Sequence, residues 1–367
     1  MTMKTTTYQP GQNIIDIKKK YGLKKVIKLA SNENPSGPSY KALIAGKKIL
    51  NIINRYPDSK SIKLRQSIKK YLSKSYITID NIMIGNGSNE ILEFIARQYL
   101  NEKSEVLFCK HSFLVYKIIS RNMRARIIES KPIMKPGQDH LSIDLDDMRS
   151  RVTNKTSVIF IANPSNPTGT ALNINKINKF IDSLPKRIIV VIDEAYYEYS
   201  VFQGLKSAID LLKKYPNLII TRSFSKIHAL AGSRIGYGLA SKKIVNNFNE
   251  YRQPFNINYV AQEMAAVSLM DKSFVNRSLR ANDKGMKYLR SSFDNLGVPY
   301  LNSYTNFLTI KLGQKTKKIF NDLLSQGIIL RPLDNYNLSQ YLRITIGTES
   351  ENKFLINKIT KILRLIK

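Results

Sequence analysis

Short, almost continuously apolar segments alternate with helical segments through the first two thirds of this 367-residue chain. The apolar segments are rich in Ile and Val and are bounded by turn residues, as is typical of strands buried on both faces of a parallel sheet. The predicted strands are Asn81–Ile84, Glu105–Cys109, Arg126–Ser130, Ser157–Ala162, Arg187–Ile192 and Asn217–Thr221. The predicted helices between them are Glu90–Leu100, Val115–Met123, Ile174–Leu184 and Ser207–Lys214. This alternation predicts an α/β fold with right-handed crossovers.

The last third of the chain has a different pattern, which predicts a smaller α+β domain. Its predicted helices are Val260–Met270, Val275–Asn295, Lys315–Ser325 and Glu351–Ile366, and its predicted strands are Phe307–Lys311, Ile328–Arg331 and Tyr341–Ile346. The turn-rich segment Ser31–Pro38 indicates an arm at the start of the chain. We therefore expect an N-terminal arm with part of the small domain over 1–35, a large domain over 36–255 and a small C-terminal domain over 256–367.

The formal net charge of +32 does not by itself indicate a nucleic-acid partner. The longest basic runs, Lys18–Lys20 and Lys69–Lys70, are short and lie among apolar residues, and no nucleic-acid motif accompanies them. A basic balance does suit small anionic substrates. The single cysteine, Cys109, indicates a reducing, cytoplasmic location. We expect no export signal and no membrane span, because no apolar run approaches the ~20 residues that a spanning helix needs.

Polar residues follow the predicted strands at the edge of the sheet where α/β proteins bind ligands. The first strand is followed by Gly85–Glu90 and a helix, an arrangement that can hold a phosphate with free backbone N–H groups. Ser88 can equally be a simple N-cap. Phe113 follows the second strand and can stack on a flat ring, although a core aromatic is an equally good interpretation of that residue alone.

Three further positions follow the later strands. Asn166 lies in the doubled Asn-Pro segment Asn163–Gly169, which is either a turn or a rigid loop that fixes one amide. Asp193 ends a buried strand, where a carboxylate either caps a helix or meets a cation or a protonated nitrogen. Lys226 follows the last strand near Arg234 and is a candidate amine for imine formation, although most lysines lie on the surface.

Taken together, these groups match one ligand, pyridoxal 5′-phosphate. Asp193 would keep the pyridine nitrogen protonated, and Lys226 would meet the carbonyl group. Asn166 and Tyr196 would hydrogen-bond the ring hydroxyl oxygen, and Phe113 would stack on the ring. The residues expected to hold the phosphate are Gly87, Ser88, Asn89, Ser223, Ser225 and Arg234.

Almost end to end, the chain resembles the fold type I pyridoxal-phosphate aminotransferases of class II. The motifs that carry the resemblance are Tyr8–Gly11, Ile27–Pro35, Arg55–Asp58, Gly85–Glu90, Asn163–Gly169, Asp193–Tyr196, Ser223–Lys226, Gly232–Gly236 and Leu342–Gly347. Asn32–Pro35 and Arg55–Asp58 are similar to the histidinol-phosphate subgroup. The resemblance implies a large cofactor-binding domain with a mostly parallel seven-stranded sheet between helices, a smaller α+β domain and an N-terminal arm.

The resemblance also implies roles for single residues. Lys226, Asp193 and Tyr196 would be catalytic, Lys226 as the imine-forming lysine and proton carrier. Tyr56 would reach the cofactor phosphate of the neighbouring subunit, which implies a homodimer with shared active sites. The implied substrate contacts are Tyr8, Asn32, Arg331 and Arg343, with Arg343 on the α-carboxylate and Tyr8 and Arg331 on the substrate's phosphate. No metal is implied.

Two positions depart from the pattern of these relatives. His111 stands where many relatives have other residues, and Phe113 replaces the Tyr of several members, which removes a hydroxyl but keeps a stacking face.

The implied reaction is transamination between L-histidinol phosphate and 2-oxoglutarate, which gives imidazole-acetol phosphate and L-glutamate in histidine biosynthesis. Two alternatives share the same cofactor residues: an aromatic amino acid aminotransferase and a decarboxylase of phosphorylated amino acids. A transcription regulator that reuses the fold would need an added DNA-binding module, for which we expect no room in this chain.

Overall fold

The computed structural model describes residues 12–137 and 139–366, so Tyr8 lies outside the described residues. The strands are β1 (Ile27–Lys28), β2 (Ile82–Gly85), β3 (Glu105–Cys109), β4 (Arg126–Ser130), β5 (Thr156–Ala162), β6 (Ile189–Asp193), β7 (Leu218–Ser223), β8 (Gly236–Leu239), β9 (Phe307–Lys311), β10 (Ile328–Ile329), β11 (Arg331–Pro332) and β12 (Tyr341–Thr345). The α-helices are α1 (Ile14–Tyr21), α2 (Tyr40–Leu50), α3 (Ile62–Leu72), α4 (Ser88–Tyr99), α5 (Leu114–Asn122), α6 (Leu145–Ser150), α7 (Ile174–Asp182), α8 (Tyr197–Phe202), α9 (Lys242–Tyr251), α10 (Tyr259–Met270), α11 (Lys272–Asn295), α12 (Thr316–Ser325) and α13 (Glu349–Ile366).

A seven-stranded sheet forms the centre of the larger part of the molecule. Its strand order is β2-β8-β7-β6-β5-β3-β4. β8 runs antiparallel to both of its neighbours, and the other strands share one direction. The predicted α/β class and the mostly parallel seven-stranded sheet are therefore confirmed. Five of the parallel strands lead into polar loops. Because parallel strands end at the same edge of a sheet, these loops lie close together there.

Successive residues of the central strands pack into different cores on the two faces of the sheet. Ile159 and Ile161 of β5 join one apolar cluster, whereas Val158 and Phe160 join the cluster on the opposite face. Helices cover both faces, with α2, α3, α7 and α10 on the first cluster and α4, α5 and α9 on the second. Burial on both faces is the reason why these strands have continuous rather than alternating hydrophobicity.

Sequence patterns did not reveal β8, the one antiparallel strand of this sheet. Its sequence, Gly-Tyr-Gly-Leu, has two residues with low strand propensity. A Cβ atom at Gly238 would lie 2.7 Å from Cε of Met83 on the neighbouring strand. The glycines therefore allow close packing that apolar periodicity does not signal.

The last third contains a three-stranded antiparallel sheet with the order β11-β12-β9 and a two-stranded parallel pair, β1 with β10. The apolar side chains of α11, α12 and α13 pack together in a separate core cluster. The predicted strand Ile328–Arg331 is two short strands, because the chain pairs first with β1 and then with β12. The predicted domain boundaries at 36 and 256 stay a prediction.

Several helices differ from the predictions. The predicted helix at Ser207–Lys214 is a 3₁₀ helix over Ala208–Lys213. Six of the described α-helices, α1, α2, α3, α6, α8 and α9, were not predicted from periodicity. No helix within the described ranges is long and apolar enough to cross a membrane.

Candidate active site

A cavity of about 310 Å³ lies at the carboxyl ends of the parallel strands, between the large sheet and the segment that contains β11 and β12. Most residues predicted to hold a cofactor or substrate line this cavity. They are Asn32, Ser88, Asn89, Phe113, Asn166, Asp193, Tyr196, Ser223, Ser225, Lys226, Arg234, Arg331 and Arg343. The structure therefore brings together residues that are spread over more than 300 positions of the sequence.

Two of the predicted site residues lie elsewhere. Gly87 does not line the cavity but lies behind Arg234, whose Nη2 atom would be 2.6 Å from a Cβ at that position. Tyr56 is 80% exposed and stacks on Phe255 with ring centroids 4.6 Å apart. Tyr56 is therefore available to a second molecule but does not line the cavity of its own chain.

The amine of Lys226 projects into this cavity from the loop after β7. Its Nζ atom donates a hydrogen bond to the backbone oxygen of Ser31 at 3.3 Å and lies 5.8 Å from the ring centroid of Tyr196. Burial, together with the charge of Arg343, lowers the pKa of Lys226 to about 8. About a tenth of the amine is then uncharged at pH 7, far more than for an ordinary lysine, and the uncharged amine is the form that attacks a carbonyl group.

Asp193 ends β6 with a carboxylate that is 5% exposed. Tyr116 donates its hydroxyl proton to Oδ2 at 2.9 Å, and Thr221 donates to Oδ1 at 3.0 Å. Burial raises the pKa of Asp193, and these hydrogen bonds act against that rise. Tyr116 and Thr221 were not predicted, although Tyr116 lies in the first turn of α5, three residues after Phe113, which precedes that helix.

The N-terminus of the twelve-residue helix α4 opens towards the cavity beside Arg234. Gly87 precedes this helix with φ +81°, a conformation that favours glycine. Gly236 of β8 packs directly behind the turn, where a Cβ would lie 2.7 Å from the carbonyl carbon of Gly87. Free N–H groups and an exposed guanidinium make this corner suitable for a phosphate.

Gly236→Ala is expected to lower the free energy of unfolding by about 1–3 kcal/mol, the usual range for overpacking. The added methyl group would press on the backbone of Gly87 and Ser88, which cannot rotate away as a side chain can. Urea unfolding measures the change. Gly232→Ala is the matched control, because nothing lies within 4 Å of the position that a Cβ would occupy there, and an equal effect in both variants would contradict the expectation.

Two buried arginines also line the cavity. Arg331 of β11 and Arg343 of β12 are directly opposite each other in the antiparallel register. Arg343 donates hydrogen bonds from Nη1 to Asn166 Oδ1 at 2.5 Å and from Nη2 to the oxygen of Ala30 at 2.7 Å. The planar guanidinium group suits two oxygen atoms of an anion.

Asn32 lies in the arm where it borders the cavity, and its backbone has a left-handed conformation with φ +56°. Its Nδ2 atom donates to the hydroxyl oxygen of Tyr196 at 2.8 Å, and its backbone N–H donates to Thr345 Oγ1 at 2.9 Å. Asn32 therefore positions Tyr196 in addition to lining the cavity.

His111, the unusual residue before Phe113, is buried and its Nδ1 atom lies 2.6 Å from the backbone oxygen of Tyr336.

The sheet topology and the cavity define the fold type I class of pyridoxal-phosphate-dependent enzymes. Residues 24–359 match the family model described as aminotransferase class I and II, so the chain belongs to that family. The chain is 39% identical over 355 residues to "Histidinol-phosphate aminotransferase 1" of Idiomarina loihiensis, covering 97% of this chain and 94% of that protein. The resemblance to class I and II aminotransferases is thus confirmed.

Solved structures agree with this assignment of the fold. The histidinol-phosphate aminotransferase of Clostridium acetobutylicum superimposes with a TM-score of 0.83 at 25% identity, covering 92% of this chain and 99% of that one. A histidinol-phosphate aminotransferase from Sinorhizobium meliloti, solved in complex with pyridoxal 5′-phosphate, has a TM-score of 0.86 at 22% identity over 100% of this chain and 99% of that one.

Proposed function

We propose that this aminotransferase uses pyridoxal 5′-phosphate to exchange an amino group between L-histidinol phosphate and 2-oxoglutarate. The observation that carries this proposal is that the pair Arg331 and Arg343 lines the same cavity as the Lys226 amine. One substrate of this exchange carries a phosphate and the other carries two carboxylates. Two guanidinium groups beside a separate phosphate corner suit both substrates in turn.

The cofactor fits the residues that are present. The corner at Ser88, Asn89 and Arg234 suits its phosphate, and Asp193 suits its ring nitrogen. Ser223 and Ser225 would add hydroxyl groups at the phosphate. When bound, pyridoxal 5′-phosphate supplies an aldehyde that reacts with amines and a protonated ring that withdraws electrons from the substrate's reacting carbon.

Each residue of the chain then has a task that follows from its surroundings. Lys226 would provide the amine that meets the carbonyl group of the cofactor, and it would move a proton from the reacting carbon of the substrate. Asp193 would keep a proton on the ring nitrogen. Phe113 would cover one ring face, and Asn166 and Tyr196 would hold the ring hydroxyl oxygen. Arg343 binds the α-carboxylate of glutamate, and Arg331 binds the distal anionic group of either substrate.

A comparison of amino donors tests the proposed substrate. Purified protein with pyridoxal 5′-phosphate and 2-oxoglutarate is given histidinol phosphate, phenylalanine or threonine phosphate, and glutamate formation and carbon dioxide release are measured. We expect a kcat/KM for histidinol phosphate at least about tenfold above that for the other donors. This ratio corresponds to a difference of about 1.4 kcal/mol in the stabilisation of the transition state. A preference for phenylalanine would assign an aromatic aminotransferase, and carbon dioxide release without an acceptor would assign a decarboxylase.

The rate of cofactor capture by the apoprotein is expected to rise about tenfold per pH unit up to about pH 8 and then to level off. The sign follows from the lowered pKa of Lys226, because the reactive neutral amine is already the main form above pH 8. Stopped-flow absorbance after mixing with pyridoxal 5′-phosphate measures the rate. Nα-acetyl-lysine is the control, since its ordinary pKa makes its rate rise further between pH 8 and 10, and the same continued rise in the protein would contradict the expectation.

We further propose that the active protein is a cytoplasmic homodimer with shared active sites. Support for the dimer comes from the exposed ring of Tyr56 and from the exposed apolar side chains of Leu50 and Ile53 nearby in the sequence. In this arrangement Tyr56 reaches the cofactor phosphate of the partner subunit, and Tyr8 and Asn32 contact the substrate. The free, buried thiol of Cys109 suits a reducing compartment.

A further inference from the structure

Tyr116 connects two parts of the candidate site that the sequence treats as separate. Its side chain is fully buried on α5, and its hydroxyl donates to Asp193 Oδ2 at 2.9 Å. Its ring meets the ring of Phe113 edge-on, with centroids 5.9 Å apart and an interplanar angle of 88°. The side chain of Tyr116 thus contacts both Asp193, which we expect at the ring nitrogen of the cofactor, and Phe113, which we expect to cover the cofactor ring.

The ring of Tyr116 is itself held in place. It stacks on Phe160 of β5 with centroids 4.8 Å apart and an interplanar angle of 7°. A hydroxyl group on a ring fixed in this way has little freedom to turn from Asp193, which is the condition for a preorganised hydrogen bond.

The other oxygen of the carboxylate is also satisfied. Thr221 donates to Oδ1 at 3.0 Å, and the backbone N–H of Ala195 donates to the same carboxyl group. Hydrogen bonds to an ionised carboxylate favour the charged form, whereas the low exposure of Asp193 opposes it. The hydroxyl of Tyr116 is therefore one of three donors that keep a buried carboxylate both ionised and oriented.

We propose that Tyr116 is a positioning residue for transamination, which acts by holding Asp193 ionised and directed at the ring nitrogen of the cofactor. This inference rests on the proposed function. Removing the hydroxyl leaves one oxygen of a buried carboxylate without its donor. Without this donor the ionised form of the carboxylate would be less favoured and its direction less fixed, so it would be a weaker partner for a protonated ring nitrogen. The loss should therefore fall on the chemical step and on cofactor affinity rather than on substrate binding.

The test compares Tyr116→Phe with Tyr215→Phe in the full-length protein. Tyr215 is a buried tyrosine on the other face of the sheet that donates to Asn178 and does not line the cavity. We expect Tyr116→Phe to lower kcat by about tenfold or more, as for a lost hydrogen bond to a charged group, with KM within about twofold. The dissociation constant for pyridoxal 5′-phosphate should rise about three- to tenfold, and Tyr215→Phe should change neither quantity.

A double-mutant cycle separates positioning from simple packing. In the Asp193→Asn background, Tyr116→Phe is expected to change kcat and cofactor affinity by less than about twofold, because the group through which it acts is gone. An equal loss in both backgrounds would overturn the proposal, as would unchanged constants in a folded Tyr116→Phe protein. If Tyr116→Phe does not fold, Tyr116→Met provides a flexible chain without a donor, with the same expected and overturning results.

The wild-type titration keeps the two proposals distinguishable. Wild-type protein that shows no absorbance change with pyridoxal 5′-phosphate would overturn the proposed function and this inference with it. Wild-type protein that binds and turns over normally, beside an indistinguishable Tyr116→Phe protein, would overturn only the role of Tyr116.

Discussion

Lys226→Ala is expected to lower the rate of transamination by at least about 10³-fold, within the range that a positioned proton carrier contributes. The substitution removes both the amine that meets the cofactor carbonyl and the group that moves the substrate proton. The other described cationic side chains that line the cavity, Arg234, Arg331 and Arg343, carry guanidinium groups, which do not form an imine as an amine does and cannot take over its tasks. Glutamate formation from histidinol phosphate and 2-oxoglutarate measures the loss.

The folded state should survive this change. An amine whose pKa is lowered to about 8 disfavours folding at neutral pH, because the folded protein binds the proton less well than the unfolded chain. The thermal midpoint of the Lys226→Ala apoprotein should therefore equal or exceed that of the wild type. Lys110→Ala is the control, since Lys110 is exposed after β3 and should keep full activity. Activity of Lys226→Ala above a tenth of the wild-type rate would contradict the role of this lysine.

The arrangement of the large sheet was predictable because its strands are buried on both faces. A continuous apolar segment such as Val158–Ala162 has few alternatives in a chain that also contains helical segments of moderate length. The polar residue after each strand then marks the binding edge, and this reasoning located Asp193, Asn166 and Lys226 without any coordinates. β8 was missed because Gly238 serves close packing against β2 and Gly236 serves close packing against the turn before α4, and neither contact has a signature in periodicity.

The remaining parts of the site depend on tertiary contacts that a linear pattern does not contain. The hydrogen bond from Asn32 to Tyr196 joins residues 164 positions apart, and the bond from Arg343 to Asn166 joins residues 177 positions apart. The resemblance to a known family indicated that Asn32 and Arg343 belong to the site, but not these partners. Tyr116 had the ordinary appearance of a core aromatic on a helix, and only the fold shows that its hydroxyl meets Asp193.

A buried ion pair lies in the sheet directly beside the candidate site. Arg222 is 2% exposed and donates to Glu194 Oε2 from Nε at 3.0 Å and from Nη2 at 2.8 Å. Its guanidinium carbon lies 3.6 Å from the ring centroid of Tyr197. Glu194 also accepts hydrogen bonds from Ser207 Oγ and from the backbone N–H of Ala208. Each charge is therefore stabilised by its partner rather than by water.

Arg222→Met is expected to lower the free energy of unfolding of the apoprotein by about 3–5 kcal/mol, because it leaves the Glu194 carboxylate buried without its cation. Urea unfolding followed by circular dichroism measures the change. Arg97→Met is the matched control: Arg97 pairs with Glu93 on the exposed face of α4, where such a pair contributes less than about 1 kcal/mol.

A second substitution shows whether the uncompensated charge is the cause. In the Arg222→Met background, Glu194→Gln removes the charge but keeps an oxygen that can accept from Ser207 and Ala208, so it should recover a large part of the lost stability. If the loss of stability came only from the lost packing of the Arg222 side chain, no recovery would be expected, because glutamine and glutamate have nearly the same size. An Arg222→Met protein as stable as Arg97→Met, or a double variant less stable than Arg222→Met, would show that the ion pair does not stabilise this part of the sheet.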